Sequence, residues 1–494
     1  MATEKMPNWL AKRAALTPDR IAVISKAEQW TFAGLNERAE ASARRFRGLG
    51  VNKREYVAFL MQNGLQVVEV IHAMHYVGTV MVPLNIRLTV RELVWQLKDS
   101  EAVMLVYDEA NVGKAAEITD LLPHLQTVSY EDLQQSPQVE TVLETYVDLE
   151  DLHTIVYTSG TTGNPKGVML TYGNHWWSAI GSSLNLGLHE DDRWLACVPL
   201  FHVSGLSILM RSVIYGMTAV IHESFDPEEA NRSIAEEGVT IMSVVSAMLS
   251  RMLESLGPDR YPSHFRCMLL GGGPAPQVLL EKCKEREIPV FQTYGMSETA
   301  SQIVTLAPEN MLDKLGSAGK ALFPAELKIE QNGEPAAVGE VGEIIVRGPN
   351  VTKGYLKRDD ETEKAIRGDW LYSGDLGYVD DEGFLFVLDR RKDLIISGGE
   401  NVYPAEVEAV LLAHPDVEDA GVTGISDERW GEMPIAFVKV KNGCGFDEGA
   451  LISFCGDHLA RYKVPSRVYQ ADELPRNASK KLLRRKLAGL IRKQ

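Results

Sequence analysis

At 494 residues the chain exceeds a single ordinary core, and a prior of roughly 100 to 200 residues per domain divides it into about two to four units. Apolar residues at 45% and charged residues at 24% are globular proportions that exclude a disordered scaffold. A net charge of −17 disfavours diffuse attraction to nucleic acid or an anionic membrane, so an anionic ligand has to be met by local positive groups.

The first twenty residues carry no apolar signal core, which predicts no export. Residues 65 to 84 form the most apolar longer stretch, but Glu69, His72 and His75 interrupt it. That pattern predicts a buried helix and strand, not a membrane span. The cysteines Cys197, Cys267, Cys283, Cys444 and Cys455 are odd in number and form no C-x-x-C pair. Neither a disulfide framework nor a zinc site is indicated, and a reducing cytoplasm fits best. No internal repeat stands out.

A strand over 153–157 runs into "TSGTTGNPKG", residues 158 to 167. Its glycines let the backbone turn sharply and approach a ligand, while its hydroxyls and lysine offer donors to phosphate oxygens. The Walker A pattern is not met, because Gly167 stands where a magnesium-binding Ser or Thr would follow Lys166. The stretch alone reads as a phosphate cradle of another design or as a polar turn. Further on, "PLFH" ends at His202, by default a core histidine, and the apolar run after it contains Arg211.

Strand and helix then alternate. "MTAVIHESFDPEEANRSIAEEGVTIMSVV" gives a strand, Asp226 as N-cap with Pro227 at the first helical position, Gly238 as a stop, and a second strand. A strand near 265–270 leads into Gly271, Gly272 and Gly273, a helix follows, and another strand ends at Tyr294 and Gly295. In open parallel sheets ligands bind beyond the carboxyl ends of strands, so three strand-end loops are candidates to converge on one cleft. Residues 318–389 read as short β pieces with turns. A boundary falls near 390, followed by a compact α/β tail with helices near 404–413 and 447–460 and another after Lys481. The predicted class is α/β: a large N-terminal domain of parallel-type sheets and helices with a short β subdomain, and a small C-terminal α/β domain.

Singly, Asp375 in "YSGDLG" is a turn aspartate, Arg390 in "DRRKD" a surface ion pair, and "SKKLLRRKL" a solvated basic helix or a nucleic-acid patch. In one chain and in this order, "YTSGTTGNPKGV", "PLFH", "YGMSETA", "YSGDLG", "DRRKDLIISGGENVYPAEVE" and "LPRNASKKLLRR" resemble the adenylate-forming superfamily of acyl-CoA synthetases, carrier-domain adenylating enzymes and luciferases. The resemblance spans essentially the whole chain. Within the superfamily, "PLFHVSGLSILMRSVIYGM" and "YGMSETASQIVTL" most resemble the 2-succinylbenzoate–CoA ligases of bacterial menaquinone synthesis.

The resemblance implies an acid:CoA ligase using ATP, Mg²⁺ and CoA, with small-molecule partners, no nucleic acid or membrane, a cytoplasmic location and room for a homo-oligomer. It implies that Thr158, Ser159, Gly160, Thr161, Thr162, Gly163 and Lys166 hold the ATP phosphates and that Glu298 binds magnesium. Ser297 serves the α-phosphate, Tyr294 lies against adenine with Gly272 and Gly273 on its other side, and Asp375 and Arg390 take the ribose hydroxyls. Lys481 is the catalytic lysine by register from Pro475 and Arg476, although Lys480 adjoins it. His202 gates the acyl pocket, Lys392 is the hinge of a mobile C-terminal domain (residues 391–494, after an adenylation domain of residues 1–390), and Gly399 admits CoA. A second substrate carboxylate needs a partner, for which Arg211 is the candidate; the alternative is a helix-surface arginine. Adenylation of a fatty or aromatic acid, delivery to a carrier protein, and non-catalytic nucleotide or RNA binding stay open.

Overall fold

The computed structural model describes residues 4–26, 28–158, 165–272, 275, 277–331, 333–389, 394–402, 404–475, 482 and 484–491. They pack as two compact units, one of Met1–Ile86, Leu97–Val156 and Gly167–Leu388, the other of Arg87–Gln96, Tyr157–Lys166 and Asp389–Gln494. Among the described residues no helix is long and apolar enough to cross a membrane.

In the first unit the larger sheet has fifteen strands. Six run parallel in the spatial order Ile21–Ser25, Thr218–Ile221, Arg193–Ala196, Ile241–Val244, Cys267–Leu270 and Val290–Met296. Both faces are covered, so side chains alternate between two cores: Trp194, Ala219, Ile241 and Cys267 join one, while Leu195, Val220, Met242 and Met268 join the other. The predicted strand–helix–strand unit is present. Asp226 caps the helix Pro227–Glu236 by accepting from the Glu228 and Glu229 N–H groups at 3.0 Å each. Its two strands are parallel but not adjacent, because Arg193–Ala196 lies between them. The second predicted unit pairs directly, with Leu270 against Gln292.

Beyond Val290–Met296 the sheet turns antiparallel, and Ser301–Leu306 folds straight back on it. The reversal is tight. A Cβ on Gly295 would stand 2.1 Å from the Ser301 carbonyl oxygen and 2.8 Å from Gln302 Cα, and the register slips between Tyr294 and Gly295. Ala300 and Ser301 pay with positive φ angles of 51° and 107°. The antiparallel part continues through Ser317–Ala321, Leu385–Asp389, Trp370–Val379 and Gly342–Arg347, the short β pieces expected after residue 318.

The strand Leu152–Thr158, which leads into the glycine-rich stretch, belongs to a separate six-stranded sheet beside Val80–Pro83. The candidate strand ends therefore come from two sheets, not one. This smaller sheet is anchored by a buried aromatic cluster. His72 and His75 on the helix Leu65–Val77 meet His153, Trp9, and Tyr172 and His175 of the helix Tyr172–Leu186. The His153 and His75 Nε2 atoms are 2.6 Å apart, and the Thr154 hydroxyl lies 2.5 Å from His153 Nδ1. Burial holds His72 down to about 4 and His175 to about 3, and it lowers His75 and His153 well below the usual range, with mutual repulsion adding to it.

In the second unit Ile395–Ser397 and Glu400–Val402 form a hairpin whose two loop residues, Gly398 and Gly399, have φ of 59° and 84°, as a type I′ turn requires. The hairpin joins Val417–Asp427, Gly431–Val440 and Arg467–Gln470 in one sheet, packed by the helices Pro404–Ala413 and Glu448–His458. Lys463, 5% exposed at its side chain, is held between Glu406 at 2.7 Å and Glu92 at 2.9 Å. After position 481 the described helices are short turns, Arg484–Lys486 and Ala488–Ile491.

Two expectations follow from this packing. Unfolded His72 titrates near 6.5 and the folded ring near 4, so the stability from burying it neutral is complete above pH 6.5 and is lost as pH falls towards 4. His72 Nδ1 has no hydrogen-bond partner among the described residues, so His72→Leu removes the titration without leaving a group unpaired. Urea unfolding at pH 7.5 and 5.5 should show the stability loss reduced by about 1 kcal/mol in the variant, and an unchanged loss would contradict the assignment. Separately, Gly295→Ala should lower stability by about 1–3 kcal/mol, because the obstructing atoms are backbone and cannot rotate away; an unshifted melting temperature would show that the reversal tolerates a side chain.

Candidate functional site

The reversal at Gly295 builds most of the candidate site within the first unit. Tyr294, only 6% exposed, sends its hydroxyl to the Oδ2 of Asp375 at 2.7 Å, and Asp375 is itself 5% exposed. The strand carrying Asp375 bulges there: its pairing with Gly342–Arg347 shifts between Glu343 and Ile345, and Gly374 has φ 73°. The Gly374 N–H donates to Glu343 Oε1 at 2.8 Å and the Asp375 N–H to Ser373 Oγ at 3.0 Å. The bulge re-aims Asp375, so a residue that reads as a turn cap is a buried carboxylate fixed against an aromatic ring.

Just past Gly295, Ser297, Glu298 and Thr299 make one turn of 3₁₀ helix. Thr299 is the clasp: its Oγ1 accepts from the Met296 N–H at 3.0 Å and donates to the Ser301 carbonyl at 2.7 Å. The segment 350–356 braces the turn from outside. Asn350 Nδ2 donates to the Thr299 carbonyl at 3.0 Å, the Thr352 N–H to the Glu298 carbonyl at 2.7 Å, and the Tyr355 hydroxyl to Glu298 Oε1 at 2.9 Å. The same segment grips the strand that leaves the glycine-rich stretch, with Leu356 N–H to the Gly167 carbonyl at 2.8 Å and Met169 N–H to the Gly354 carbonyl at 3.0 Å. Ser297 and Glu298 are thus tied to that strand through Asn350, Thr352 and Tyr355, none of which the sequence singles out. Their only sequence signal is an irregular polar run, "GPNVTKGY", between β segments.

Gly272 follows the strand Cys267–Leu270 with φ 84°, at the same sheet end as Tyr294. His202 caps the helix Val203–Tyr215 with its backbone, its ring tilted 4.6 Å from that of Phe201. The loop before it is fixed by Asn63, whose side chain donates to the Val198 carbonyl at 3.0 Å and accepts from the Leu200 N–H at 2.9 Å. Arg211, far from being a helix-surface residue, is 1% exposed, its guanidinium 5.1 Å from the centre of the Trp194 ring. In the second unit, Thr158 Oγ1 reaches the Lys166 carbonyl at 3.5 Å, and Gly399 lies in the hairpin loop. Ser159, Gly160, Thr161, Thr162, Gly163, Gly273, Arg390, Lys392 and Lys481 lie outside the described residues.

The donor types suit a nucleotide with a divalent cation. An aromatic ring, a strand end whose glycine presents bare backbone, and a buried carboxylate can hold a nucleoside, while a hydroxyl and a second carboxylate one turn later can serve phosphate and metal. Glu298 fits a hard cation on its own geometry, because Tyr355 fixes one carboxylate oxygen and thereby orients the group.

Comparison with known proteins agrees with this chemistry. Residues 10–356 match the AMP-binding enzyme family and residues 406–481 the AMP-binding enzyme C-terminal domain. The chain is 60% identical over 488 residues to a 2-succinylbenzoate–CoA ligase of Geobacillus kaustophilus, covering 99% of this chain and 98% of that one. It is 54% identical to the ligase of the same name from Bacillus cytotoxicus, covering 99% of both. An o-succinylbenzoate CoA synthetase of Bacillus subtilis, bound with a product analogue, superposes with a TM-score of 0.95 at 47% identity, covering 98% of this chain and 99% of that one. The same enzyme in complex with ATP and magnesium gives 0.77 at 47% identity, covering 98% and 100%. With matches of this extent over both parts of the chain, the protein belongs to the AMP-binding, adenylate-forming enzymes.

Proposed function

We propose that the protein is an AMP-forming acid–thiol ligase that joins 2-succinylbenzoate to CoA at the expense of ATP. The observation that carries this reading is similarity over 99% of the chain to ligases of that activity, combined with a site whose donor set suits a nucleotide and a hard cation. A carboxylate is a poor acyl donor because its oxygen is a poor leaving group. Attack of that oxygen on the α-phosphorus breaks the bond to pyrophosphate and gives an acyl-adenylate. The CoA sulfur then adds to the acyl carbon, loses its proton, and expels AMP.

The residues of this chain divide that work. Tyr294 packs on adenine beside Gly272 and Gly273, and Asp375 with Arg390 accepts and donates at the ribose hydroxyls. Ser297 donates to the α-phosphate, and Thr158 to Gly163 with Lys166 enclose the phosphates beyond it. Glu298 would hold magnesium, which when bound offsets the repulsion between carboxylate and polyphosphate. His202, at the start of its helix, stands where the acid enters. The Gly399 loop serves the CoA arm, and Lys481 supplies a mobile cation to carboxylate and phosphate in the first step only, the residues after the Lys392 hinge turning between steps. In this reading residues 1–390 bind ATP and acid, residues 391–494 alternate, and the enzyme works in the cytoplasm on small molecules.

AMP formation with 2-succinylbenzoate, ATP and CoA tests the reading directly: turnover of a simple fatty or benzoic acid with none of 2-succinylbenzoate would overturn it. Two variants separate the roles within it. Glu298→Gln should raise the magnesium concentration for half-maximal adenylation, whereas Asp375→Asn, which keeps an acceptor for Tyr294, should raise the KM for ATP at unchanged magnesium demand; identical shifts in both would deny the division. Lys481→Ala should nearly abolish acyl-adenylate formation and leave CoA transfer from supplied acyl-adenylate largely intact. Lys392→Pro should show the opposite bias, since proline fixes φ near −65° in the hinge. Single-turnover measurement of each half-reaction decides, and equal losses in both steps for Lys481→Ala would defeat the alternation.

A further inference from the structure

Glu298 is gripped at both ends. The Thr352 N–H donates to its backbone carbonyl at 2.7 Å, and the Tyr355 hydroxyl donates to its Oε1 at 2.9 Å. Its other carboxylate oxygen, Oε2, takes no hydrogen bond among the described residues. The half-buried side chain therefore presents one engaged oxygen and one open oxygen.

The donor that engages Oε1 is itself locked in place. The Tyr355 ring packs on the apolar cluster of Val156, Val168, Leu170, Val203 and Ala300. Its backbone bridges to Val168, and its N–H donates to Thr362 Oγ1 at 2.9 Å. On one side Gly354 has φ 127°, and a Cβ there would stand 2.3 Å from Thr362 Cγ2, so the chain enters Tyr355 on a path that favours glycine. On the other side the Leu356 N–H donates to the Gly167 carbonyl at 2.8 Å. Ring, backbone and both neighbours are fixed, so the phenol oxygen stands at Oε1 before any ligand arrives.

Glu298 also has no acidic company. Among the described residues the one group of three or more His, Cys, Asp or Glu side chains close enough to share an ion is Asp380, Asp381 and Glu382, where Lys314 already binds Asp380 at 2.8 Å and Glu382 as well. A lone carboxylate suits a small, strictly octahedral ion. Magnesium is usually held by one or two carboxylates with substrate phosphates and water, whereas calcium gathers about six to eight oxygens and readily takes both oxygens of one carboxylate. With Oε1 engaged by Tyr355, Glu298 offers a cation one oxygen, and the two-oxygen grip that favours calcium is closed.

We propose that Tyr355 is a positioning residue that makes Glu298 a one-oxygen ligand and so sets the preference of the site for magnesium over calcium. The proposal rests on the ligase reading above, in which Glu298 holds the cation that accompanies ATP, and it adds what decides between cations. Tyr355 acts through Glu298 and makes no bond to the cation itself. Without its hydroxyl both oxygens of Glu298 are open, and the larger ion is accepted as well.

The test reads binding, not turnover. Equilibrium dialysis of radiolabelled ATP against the full chain, in EDTA, in saturating magnesium and in saturating calcium, compares wild type with Tyr355→Phe, which keeps the ring and removes only the hydroxyl. Wild type should hold ATP more tightly with magnesium than with calcium. In Tyr355→Phe that ratio should fall about tenfold, through weaker binding with magnesium and tighter binding with calcium, while the affinity in EDTA stays level. A purely structural brace would instead weaken binding with both cations alike. That equal weakening, an unchanged ratio in the variant, or a wild type without the magnesium preference overturns the proposal. Should Tyr355→Phe fail to fold, Glu298→Asp, whose carboxylate falls one methylene short of the hydroxyl, must show the same relaxed ratio; a retained preference overturns the proposal too. No binding of ATP by wild type under any of these conditions is a different result, and it rejects the ligase reading itself and the proposal with it.

Discussion

The contact on which the site depends is the approach of Gly295 to the carbonyl of Ser301. A side chain at 2.1 Å from a backbone oxygen fits only if the backbone shifts, so glycine is strongly favoured there. That one reversal turns the sheet from parallel to antiparallel and leaves Tyr294 on a strand facing Asp375. It also projects Ser297 and Glu298 on a single turn. The strained backbone of Ala300 and Ser301 is held because Thr299, Asn350 and Thr352 over-determine the turn with hydrogen bonds. Strain at a ligand site persists where its surroundings leave no alternative, and the bracing here leaves none.

Electrostatics follow a consistent rule. On the proposed reading a chain of net charge −17 takes ATP and CoA, both polyanions, so its positive charge has to be placed locally. The half-buried Arg266 and Arg484 are forked onto Asp192 and Glu408, while the buried histidines beside Tyr172 are held neutral. The strand Leu152–Thr158 thus leads towards the glycine-rich stretch from an uncharged, close-packed base. Rigid support of this kind fixes where the strand ends and the stretch begins.

Legibility from sequence tracked how local the cause was. The helix after Asp226 was readable because its cap, its first-turn proline and its terminating glycine all act within a few residues. The buried helix and strand of residues 65–84 were readable from an apolar run too short and too interrupted for a membrane. What stayed hidden was set by contacts distant in sequence. Tyr355 and Glu298 are 57 residues apart, and Asn63 grips a loop 137 residues away. Strand pairing hid the separate sheet of Leu152–Thr158 for the same reason. Asp375 and Tyr294 were legible as types in an ordered motif set, but not the hydrogen bond between them, which depends on a bulge.

Arg211 shows where pattern reading inverts. From sequence a lone arginine in an apolar helix has two readings, a partner for a substrate carboxylate or a helix-surface residue, and the second is the bland one because burying an unpaired guanidinium costs several kcal/mol. The protein buries it all the same, with an aromatic ring on one face and its carboxylate-gripping edge open.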